Sequence, residues 1–320
     1  LRPENKEKST KEQLDKNEVS VFNWKFKIND FGGIGYLSLN DDDIIRENNE
    51  PVIEYRVYGK ENYDYWHKSY SRNLKETAEW VYGDFGRPLL KYAEGKYKKG
   101  SFFYKKENCF IEKSEDKTKI FVDLKCDKTL CEDSGAPGEI QVIYTLTKEE
   151  IKVDVLWFNK DANRLTEVIF FKVYPTDSKI KMEKLGEFVD PYTVVDKGSK
   201  NLHAVRSVVL ENDKNTIKIT NLTSPLVSVG KGKILEFDDN FEKIEDGLSY
   251  VLYNNVWGTN FPLWYEENAR FEFEINASGL INGENELVVH IIPALVEAKK
   301  YPNELCNYQK YRNASLYIRK

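Results

Sequence analysis

The chain has 320 residues, of which 40% are hydrophobic, 13% are aromatic and 32% are charged, and its formal net charge is −5. The length suits one large domain or two medium ones. No basic field exists to attract nucleic acid or an anionic membrane surface, and no apolar run reaches the ~20 residues of a membrane-spanning helix, so we expect no nucleic-acid partner and no membrane insertion.

Residues 1–18 are almost wholly polar and lack periodicity, which predicts a disordered linker or processed segment. Because the chain begins at Leu1 rather than Met, we expect a processed product or an excised segment. Apolar and polar residues alternate over Phe22–Ile28, as in a half-buried strand. The turn Asp30–Gly33 then leads into a returning strand, Ile34–Leu39.

Apolar residues recur at three- and four-residue steps over residues 61–82, which predicts an irregular amphipathic helix that ends at the Gly83–Pro88 segment. Short strands separated by turn signals dominate from there to residue 292. More than a dozen strands with one clear helix and no repeat predict an all-β fold, a sandwich of unusual size with one or two short helices. We treat residues 19–280 as this domain and residues 281–320 as a C-terminal extension packed on the sandwich.

The cysteines and histidines match no metal-binding motif, so we expect no metal site and no cofactor. An even number of cysteines, three N-glycosylation sequons and the non-Met start predict a secreted glycoprotein with up to two disulfides. The disulfide candidates are Cys109, Cys126, Cys131 and Cys306, and the glycosylation candidates are Asn221, Asn276 and Asn313. The pairing stays open between Cys109 with Cys126 or Cys131, and Cys126 with Cys131. Free thiols in a cytosolic protein are the alternative.

Catalytic motifs are not visible in the chain. It contains no nucleophile elbow, phosphate-binding glycine loop or dinucleotide fingerprint. With 53 Asp and Glu residues, no pair of carboxylates stands out as the acid and base of a glycosidase. We therefore assign no catalytic residue.

The segment Tyr253–Tyr265 combines two Trp with several Asn, a Gly and a Pro between two strand-like runs. Aromatic planes beside amide groups suit a sugar site, since sugars have an apolar face and a polar rim. The same composition also suits a buried turn of a β-protein, because large aromatic residues mostly pack into cores.

The run over residues 253–275, YNNVWGTNFPLWYEENARFEFEI, resembles the end of the C-terminal β-domain of an uncharacterised family of glycosidases related to family 38, the α-mannosidase type. Supporting stretches follow in the same order: residues 22–39, 83–88, 184–191, 201–205 and 224–227. The resemblance implies a supersandwich like that of galactose mutarotase. In α-mannosidase-type enzymes this domain follows a catalytic barrel with zinc ligands and a nucleophilic Asp, and nothing in this chain matches that barrel.

These observations predict the non-catalytic, carbohydrate-associated sandwich of a secreted glycoside-hydrolase-like protein, with carbohydrate or a neighbouring catalytic or structural chain as its partner. One alternative is a structural or interaction subunit of an extracellular assembly, and another is a sugar epimerase or lyase on this fold. The residues predicted for the carbohydrate surface are Asn254, Asn255, Trp257, Asn260, Trp264, Tyr265, His203 and Arg206.

Overall fold

Three antiparallel β-sheets contain the strands of the part of the chain that the computed structural model describes, namely residues 11–70, 82–83, 87–194, 202–236, 240, 242–256 and 263–279. The strands are β1 (Glu12–Gln13), β2 (Glu18–Val21), β3 (Trp24–Ile28), β4 (Ile34–Leu39), β5 (Asp42–Ile45), β6 (Ile53–Tyr58), β7 (Gly100–Phe103), β8 (Lys105–Lys113), β9 (Thr118–Lys125), β10 (Glu139–Leu146), β11 (Glu150–Phe158), β12 (Thr166–Val173), β13 (Lys179–Lys184), β14 (Glu187–Val189), β15 (His203–Ala204), β16 (Ser207–Glu211), β17 (Asn215–Asn221), β18 (Leu226–Val229), β19 (Leu248–Asn254) and β20 (Ala269–Gly279). The helices described are α1 (Lys60–Tyr70), α2 (Lys128–Ser134) and two 3₁₀ helices, Pro88–Tyr92 and Ile244–Asp246.

The sheets have ten, six and four strands. The ten-stranded sheet has the order β1-β8-β9-β10-β11-β20-β17-β16-β13-β14, the six-stranded sheet β15-β18-β19-β12-β6-β7, and the four-stranded sheet β2-β3-β4-β5. In the largest sheet, β20 joins two groups of strands that are each formed mostly by neighbours in sequence. The last described strand therefore completes the sheet.

The main core lies between these sheets. Most strands place alternate apolar residues on the face that points into it. Phe171 of β12 and Phe273 of β20 belong to different sheets, and their ring centroids are 4.7 Å apart. Phe26 of β3 contacts Tyr144 of β10 at 5.0 Å. Ring contacts of this kind bury large apolar areas between sheets. The prediction of a large all-β sandwich is confirmed.

A smaller apolar cluster covers the other face of the six-stranded sheet. Tyr63 and Trp66 of α1 pack there with Leu90 of the first 3₁₀ helix and with Phe170 of β12. The helix predicted from residue 61 is thus present over Lys60–Tyr70, and residues 71–81 lie outside the described ranges.

The leading segment differs from its prediction over residues 11–18. Glu12 pairs with Ile111 and Gln13 with Phe110 at the edge of the ten-stranded sheet, and β2 begins at Glu18. Backbone pairing with an exposed sheet edge orders a polar segment that has no apolar periodicity of its own.

The chain divides into two units, Leu1–Ser278 and Gly279–Lys320, and apart from Gly279 the described residues belong to the first. The predicted extension over residues 281–320 lies outside the described residues and stays a prediction. Among the helices that are described, none is long and apolar enough to cross a bilayer.

Candidate functional site

The segment 263–268 precedes β20, and hydrogen bonds hold it near both of its ends. Asn255 Nδ2 donates to the Leu263 carbonyl at 2.9 Å, and the Trp157 indole N–H donates to the Glu267 carbonyl at 3.0 Å. These bonds fix the backbone of a segment that has no regular secondary structure of its own.

Two aromatic side chains of this segment reach the protein surface. Trp264 is 44% exposed. Tyr265 is half-buried, with its ring edge-on to Trp157 at 6.4 Å and 5.7 Å from the Tyr253 ring. Asn254 ends β19 and is also half-buried, but it pairs with Val168 and so lies on the face of the sheet opposite to Tyr253. We call Trp264 and Tyr265 the aromatic surface.

Asn255 has a structural position, although it was predicted to contact sugar. Asn255 is only 3% exposed, and its Nδ2 donates to the carbonyl of Leu165 at 2.7 Å as well as to that of Leu263. Its Oδ1 accepts the Glu167 N–H at 2.8 Å, and its carbonyl accepts a bond from the buried guanidinium of Arg87. Both ends of the Asn255 amide are therefore occupied by protein groups.

A buried polar network lies beneath this region and is centred on Glu167 of β12. Glu167 Oε1 accepts from Lys160 Nζ at 2.8 Å, and both side chains are 0% exposed. Glu167 Oε2 lies 2.5 Å from the Tyr55 hydroxyl and accepts from Asn163 Nδ2 at 3.1 Å. Lys160 Nζ also lies 5.4 Å above the Tyr253 ring, which in turn contacts Tyr265. We call Tyr55, Lys160, Asn163 and Glu167 the Glu167 network.

Carbonyl groups at the end of α2 and in the turn that follows it accept hydrogen bonds from this network. The Ser134 carbonyl lies 2.6 Å from the Tyr55 hydroxyl and 2.6 Å from Asn163 Nδ2, and the Gly135 carbonyl accepts from Lys160 at 3.1 Å. Tyr55 has a single hydroxyl hydrogen but two oxygen neighbours, Ser134 O and Glu167 Oε2. A proton on Glu167 Oε2 satisfies both contacts, because Glu167 then donates to Tyr55 and Tyr55 donates to Ser134.

Burial raises the pKa of Glu167 above its ordinary value, while the Lys160 ammonium opposes the shift. The raised pKa agrees with the contacts of Tyr55, which are both satisfied when Glu167 Oε2 carries a proton. The same environment raises the pKa of Tyr55, first through burial and then through the nearby Glu167. The network thus shifts the ionisation of Glu167 towards the protonated carboxyl, and it lies away from solvent.

The remaining predicted carbohydrate residues do not all meet at this surface. His203 is buried in β15 opposite Val227, whereas Arg206 is exposed and lies 3.8 Å from Glu183 Oε1. Val227 pairs with Tyr250, and the strand from there to Asn254 spans about 13 Å. His203 and Asn254 are therefore two strands apart and offset along the sheet. Trp257 and Asn260 lie outside the described residues.

A second buried ionic cluster occupies the outer face of the six-stranded sheet. Glu54 is 1% exposed and forms ion pairs with Arg56, at 2.6 Å, and with Lys172. The Arg56 guanidinium donates to the carbonyls of Gly232 and Lys231, which cover it. A cavity of about 10 Å³, the size of one water, adjoins Lys172. Protein groups therefore cover the Glu54 carboxylate.

Asn221 corrects one of the predicted glycosylation sites. It is 6% exposed, and its Nδ2 donates to the carbonyls of Val205, at 3.0 Å, and Ser224, at 2.7 Å. A glycan needs this nitrogen at an accessible surface, so the prediction for Asn221 is wrong for the folded chain. Asn276 is half-buried and donates to Glu150 at 3.2 Å, and Asn313 lies outside the described residues.

The described cysteines, Cys109, Cys126 and Cys131, are free thiols, and Cys306 lies outside the described residues. Cys109 pairs across the sheet with Val122, and the strand from Val122 to Cys126 spans about 13 Å. A disulfide needs Cα atoms within about 7 Å, so Cys109 does not reach Cys126. Burial raises the pKa of the Cys109 thiol to about 11, as expected for an inert core cysteine.

The sequence interpretation did not single out the Glu167 network. Its carboxyl and ammonium groups stand among 53 acidic and 48 basic residues, and only the fold joins Tyr55 to Glu167 across 112 positions. A weak signal exists in β12, where Glu167 precedes the apolar run Val168–Phe171. Within the described ranges, no group of three or more His, Cys, Asp or Glu is placed to hold a metal ion.

Comparison with known proteins gives one family match. The model of a family described as a domain of unknown function, DUF5054, matches residues 1–154, slightly less than half of the chain. No curated protein matches the chain in sequence. The relation to family 38 glycosidases stays a prediction.

Three solved structures show weak fold likeness. A candidate aldose 1-epimerase from Escherichia coli K12 is 10% identical, with a TM-score of 0.42 over 85% of this chain and 100% of its own. The Slr1438 protein from Synechocystis sp. PCC 6803 is 8% identical, with a TM-score of 0.40 over 80% and 91%. The 4-alpha-glucanotransferase from Thermococcus litoralis is 12% identical, with a TM-score of 0.37 over 84% of this chain and 39% of that enzyme. The names of the first and third concern carbohydrates, and likeness of this size assigns no activity to the present chain.

Proposed function

We propose that the chain is a non-catalytic carbohydrate-binding β-sandwich and that the aromatic surface holds the sugar. The observation that carries this proposal is the 44% exposed indole of Trp264 next to a Tyr265 ring that Trp157 and Tyr253 hold in place. Aromatic planes bind the apolar face of a sugar.

The fixed backbone of segment 263–268 supports this interpretation. Side chains that are locked before binding lose less conformational entropy when they meet a ligand. Tyr265 is held by two ring contacts, and its hydroxyl donates to the Asn268 carbonyl at 3.4 Å. An open surface of this kind suits one or two rings of an oligosaccharide chain.

The buried position of Glu167 supports binding rather than catalysis. A general acid or base must come within hydrogen-bond reach of its substrate. Glu167 is fully buried, and both of its carboxyl oxygens contact Tyr55, Lys160 and Asn163. In the present arrangement it holds the layer below the aromatic surface together.

Isothermal titration calorimetry with a panel of neutral oligosaccharides tests the proposal. We expect weak binding that falls at least tenfold in Trp264→Ala. Tyr92→Ala is the matched control, since Tyr92 is an exposed aromatic residue (66%) on the first 3₁₀ helix, and this variant should bind like the wild type. Absence of binding across the panel, or equal binding by Trp264→Ala, contradicts the proposal.

A second candidate function, an interaction subunit, is favoured by apolar side chains around α1. Tyr65 is 52% exposed, and Leu89 and Tyr92 of the adjoining 3₁₀ helix are 72% and 66% exposed. Clusters of exposed apolar residues often mark protein interfaces. Native mass spectrometry tests this function: assembly that Leu89→Lys abolishes supports it, and a strict monomer refutes self-assembly. A secreted location and a partner chain remain parts of the proposal.

A further inference from the structure

We propose that Cys126 and Cys131 form a reversible dithiol–disulfide site that exchanges with small-molecule disulfides. Cys126 follows the end of β9, and Cys131 lies in α2. Both are half-buried, and their sulfur atoms lie 3.7 and 3.9 Å from the same oxygen, the Pro137 carbonyl. The two thiols also interact with each other.

The carbonyls around the pair do not depend on the two S–H groups. The Pro137 carbonyl accepts from the Tyr104 hydroxyl at 2.7 Å and from the Cys126 thiol at 3.7 Å, while the Cys131 thiol lies closer to the Asp127 carbonyl, at 3.6 Å, than to Pro137, at 3.9 Å. A disulfide removes both S–H donors and leaves the strong bond from Tyr104 in place. Oxidation therefore leaves the Pro137 carbonyl satisfied.

The two thiols have different chemical roles. The interaction with Cys126 is the largest cause that lowers the pKa of Cys131. The same interaction, together with burial, raises the pKa of Cys126. The carboxylates of Asp127 and Glu132 oppose the shift at Cys131. Cys131 is therefore the attacking thiol and Cys126 the resolving thiol.

The reaction with oxidised glutathione balances in two exchange steps. The Cys131 thiolate attacks one sulfur of glutathione disulfide, which forms a mixed disulfide and releases one glutathione thiolate that takes up the Cys131 proton. The Cys126 sulfur, as it loses its proton, attacks Cys131 Sγ and releases the second glutathione. The protein dithiol is oxidised by two electrons, and one glutathione disulfide is reduced to two glutathione molecules.

Closure of this bond links the end of β9 to α2, whose following turn holds the Glu167 network. Lys160 and Tyr55 bond to the carbonyls of that turn. A cross-link that restricts this segment in the unfolded chain stabilises the folded one. We expect the oxidised protein to unfold at a higher temperature than the reduced protein.

The test uses the full chain with Cys306→Ser, equilibrated in glutathione buffers of graded thiol-to-disulfide ratio, quenched in acid and alkylated. We expect an intact mass lower by two hydrogens, a peptide cross-linked between Cys126 and Cys131, and full reversal by excess reduced glutathione. In Cys126→Ala the mixed disulfide with glutathione should accumulate on Cys131. In Cys131→Ala little should form on Cys126.

Cys109→Ser is the matched control, because Cys109 is buried in β8 and should not alter the titration. Independent alkylation of Cys126 and Cys131 at every buffer ratio overturns the proposal. So does a cross-link from either residue to another cysteine, or equal glutathione adducts in the two alanine variants. The titration of the Cys306→Ser chain, in which Cys126 and Cys131 are both present, is decisive even if an alanine variant does not fold.

Discussion

Lys160 and Glu167 contribute differently to the buried network, although they form one ion pair. Lys160 donates to Glu167 and to the carbonyls of Gly135 and Asp161, so its ammonium satisfies three acceptors. Burial raises the pKa of Glu167. An amide keeps most of the hydrogen bonds that a protonated carboxyl makes there, whereas an apolar side chain cannot replace the ammonium.

We predict that Lys160→Met destabilises the fold by about 3 kcal/mol or more, because Glu167 Oε1 and the carbonyls of Gly135 and Asp161 lose the donor that Lys160 supplies. Glu167→Gln should cost less than about 2 kcal/mol, since Gln Oε1 still accepts from Lys160 and its amide N–H can donate to Tyr55, so that only the bond from Asn163 is lost. Urea unfolding at neutral pH measures both. Lys128→Met, in the exposed pair with Glu132, is the control and should change stability little. Equal losses of unfolding free energy in Lys160→Met and Glu167→Gln would contradict the different roles of the two residues.

The raised pKa of Glu167 predicts a pH dependence with a definite sign. Between the ordinary value of 4.5 and the raised pKa, the folded chain holds a proton that the unfolded chain has lost. By linkage, this group's contribution to stability is fully present below pH 4.5 and is lost as the pH rises through that window. Glu167→Gln lacks this component, so the unfolding free energy of the wild type minus that of the variant should fall with rising pH. Parallel profiles in urea unfolding between pH 4 and 7 would show that the carboxyl ionises normally.

At the scale of elements, Asn255 joins β12, β19 and segment 263–268. Asn255→Ala should cost about 3 kcal/mol, because it leaves the carbonyls of Leu165 and Leu263 and the N–H of Glu167 unsatisfied. Exchange of the Glu167 amide hydrogen should accelerate. The neighbouring Asn254→Ala is the control, since the one bond from its side chain, to the Val256 N–H, is long at 3.4 Å. Unchanged exchange at Glu167 in Asn255→Ala would refute this role.

Gly135 follows the last residue of α2, and its backbone conformation there favours glycine. Its φ is +70°, and a Cβ atom there would lie 2.7 Å from Asn163 Nδ2 and 3.1 Å from the Asp161 carbonyl. Gly95 has φ +76° but nothing within 4 Å of a Cβ, so it is a matched control for conformation alone. Gly95→Ala should cost about 1 kcal/mol, and Gly135→Ala clearly more, by thermal unfolding. Equal costs would exclude a packing role for Gly135.

Strands and helices could be predicted from the sequence where the spacing of apolar residues stayed regular along the whole element. Alternation over Phe22–Ile28 predicts β3, since one face of that strand is buried and the other meets solvent. The hairpin β13–β14 was not predicted, because charged residues fill most of Lys179–Lys184. The short helix α2 was also missed, although Asp127 caps it by accepting the Thr129 N–H at 2.8 Å and Gly135 ends it. A helix of about two turns has too few residues to show a period.

For the whole molecule, an all-β sandwich follows from many alternating runs, but the strand order does not. The position of β20 between β11 and β17 depends on which edges the rest of the fold leaves open. The candidate site shows the same limit. The aromatic segment was visible in the sequence, while the Glu167 network arises only when β6, α2 and β12 meet. Local pattern carries no information about such distant pairings.

The strand order predicts that the first half of the chain does not fold alone. A fragment ending at residue 165 keeps β1–β11 but lacks β20, the partner of β11, and β12, the partner of β6. It exposes the apolar faces of both sheets and two unpaired strand edges. We expect circular dichroism to show no cooperative thermal unfolding of the fragment, while residues 1–279 unfold in one transition. Adding a separate chain of residues 166–279 should restore a cooperative transition. A fragment 1–165 that unfolds cooperatively by itself would show that β12–β20 form an addition to an independent domain, and the matched region 1–154 would then belong to a unit of its own.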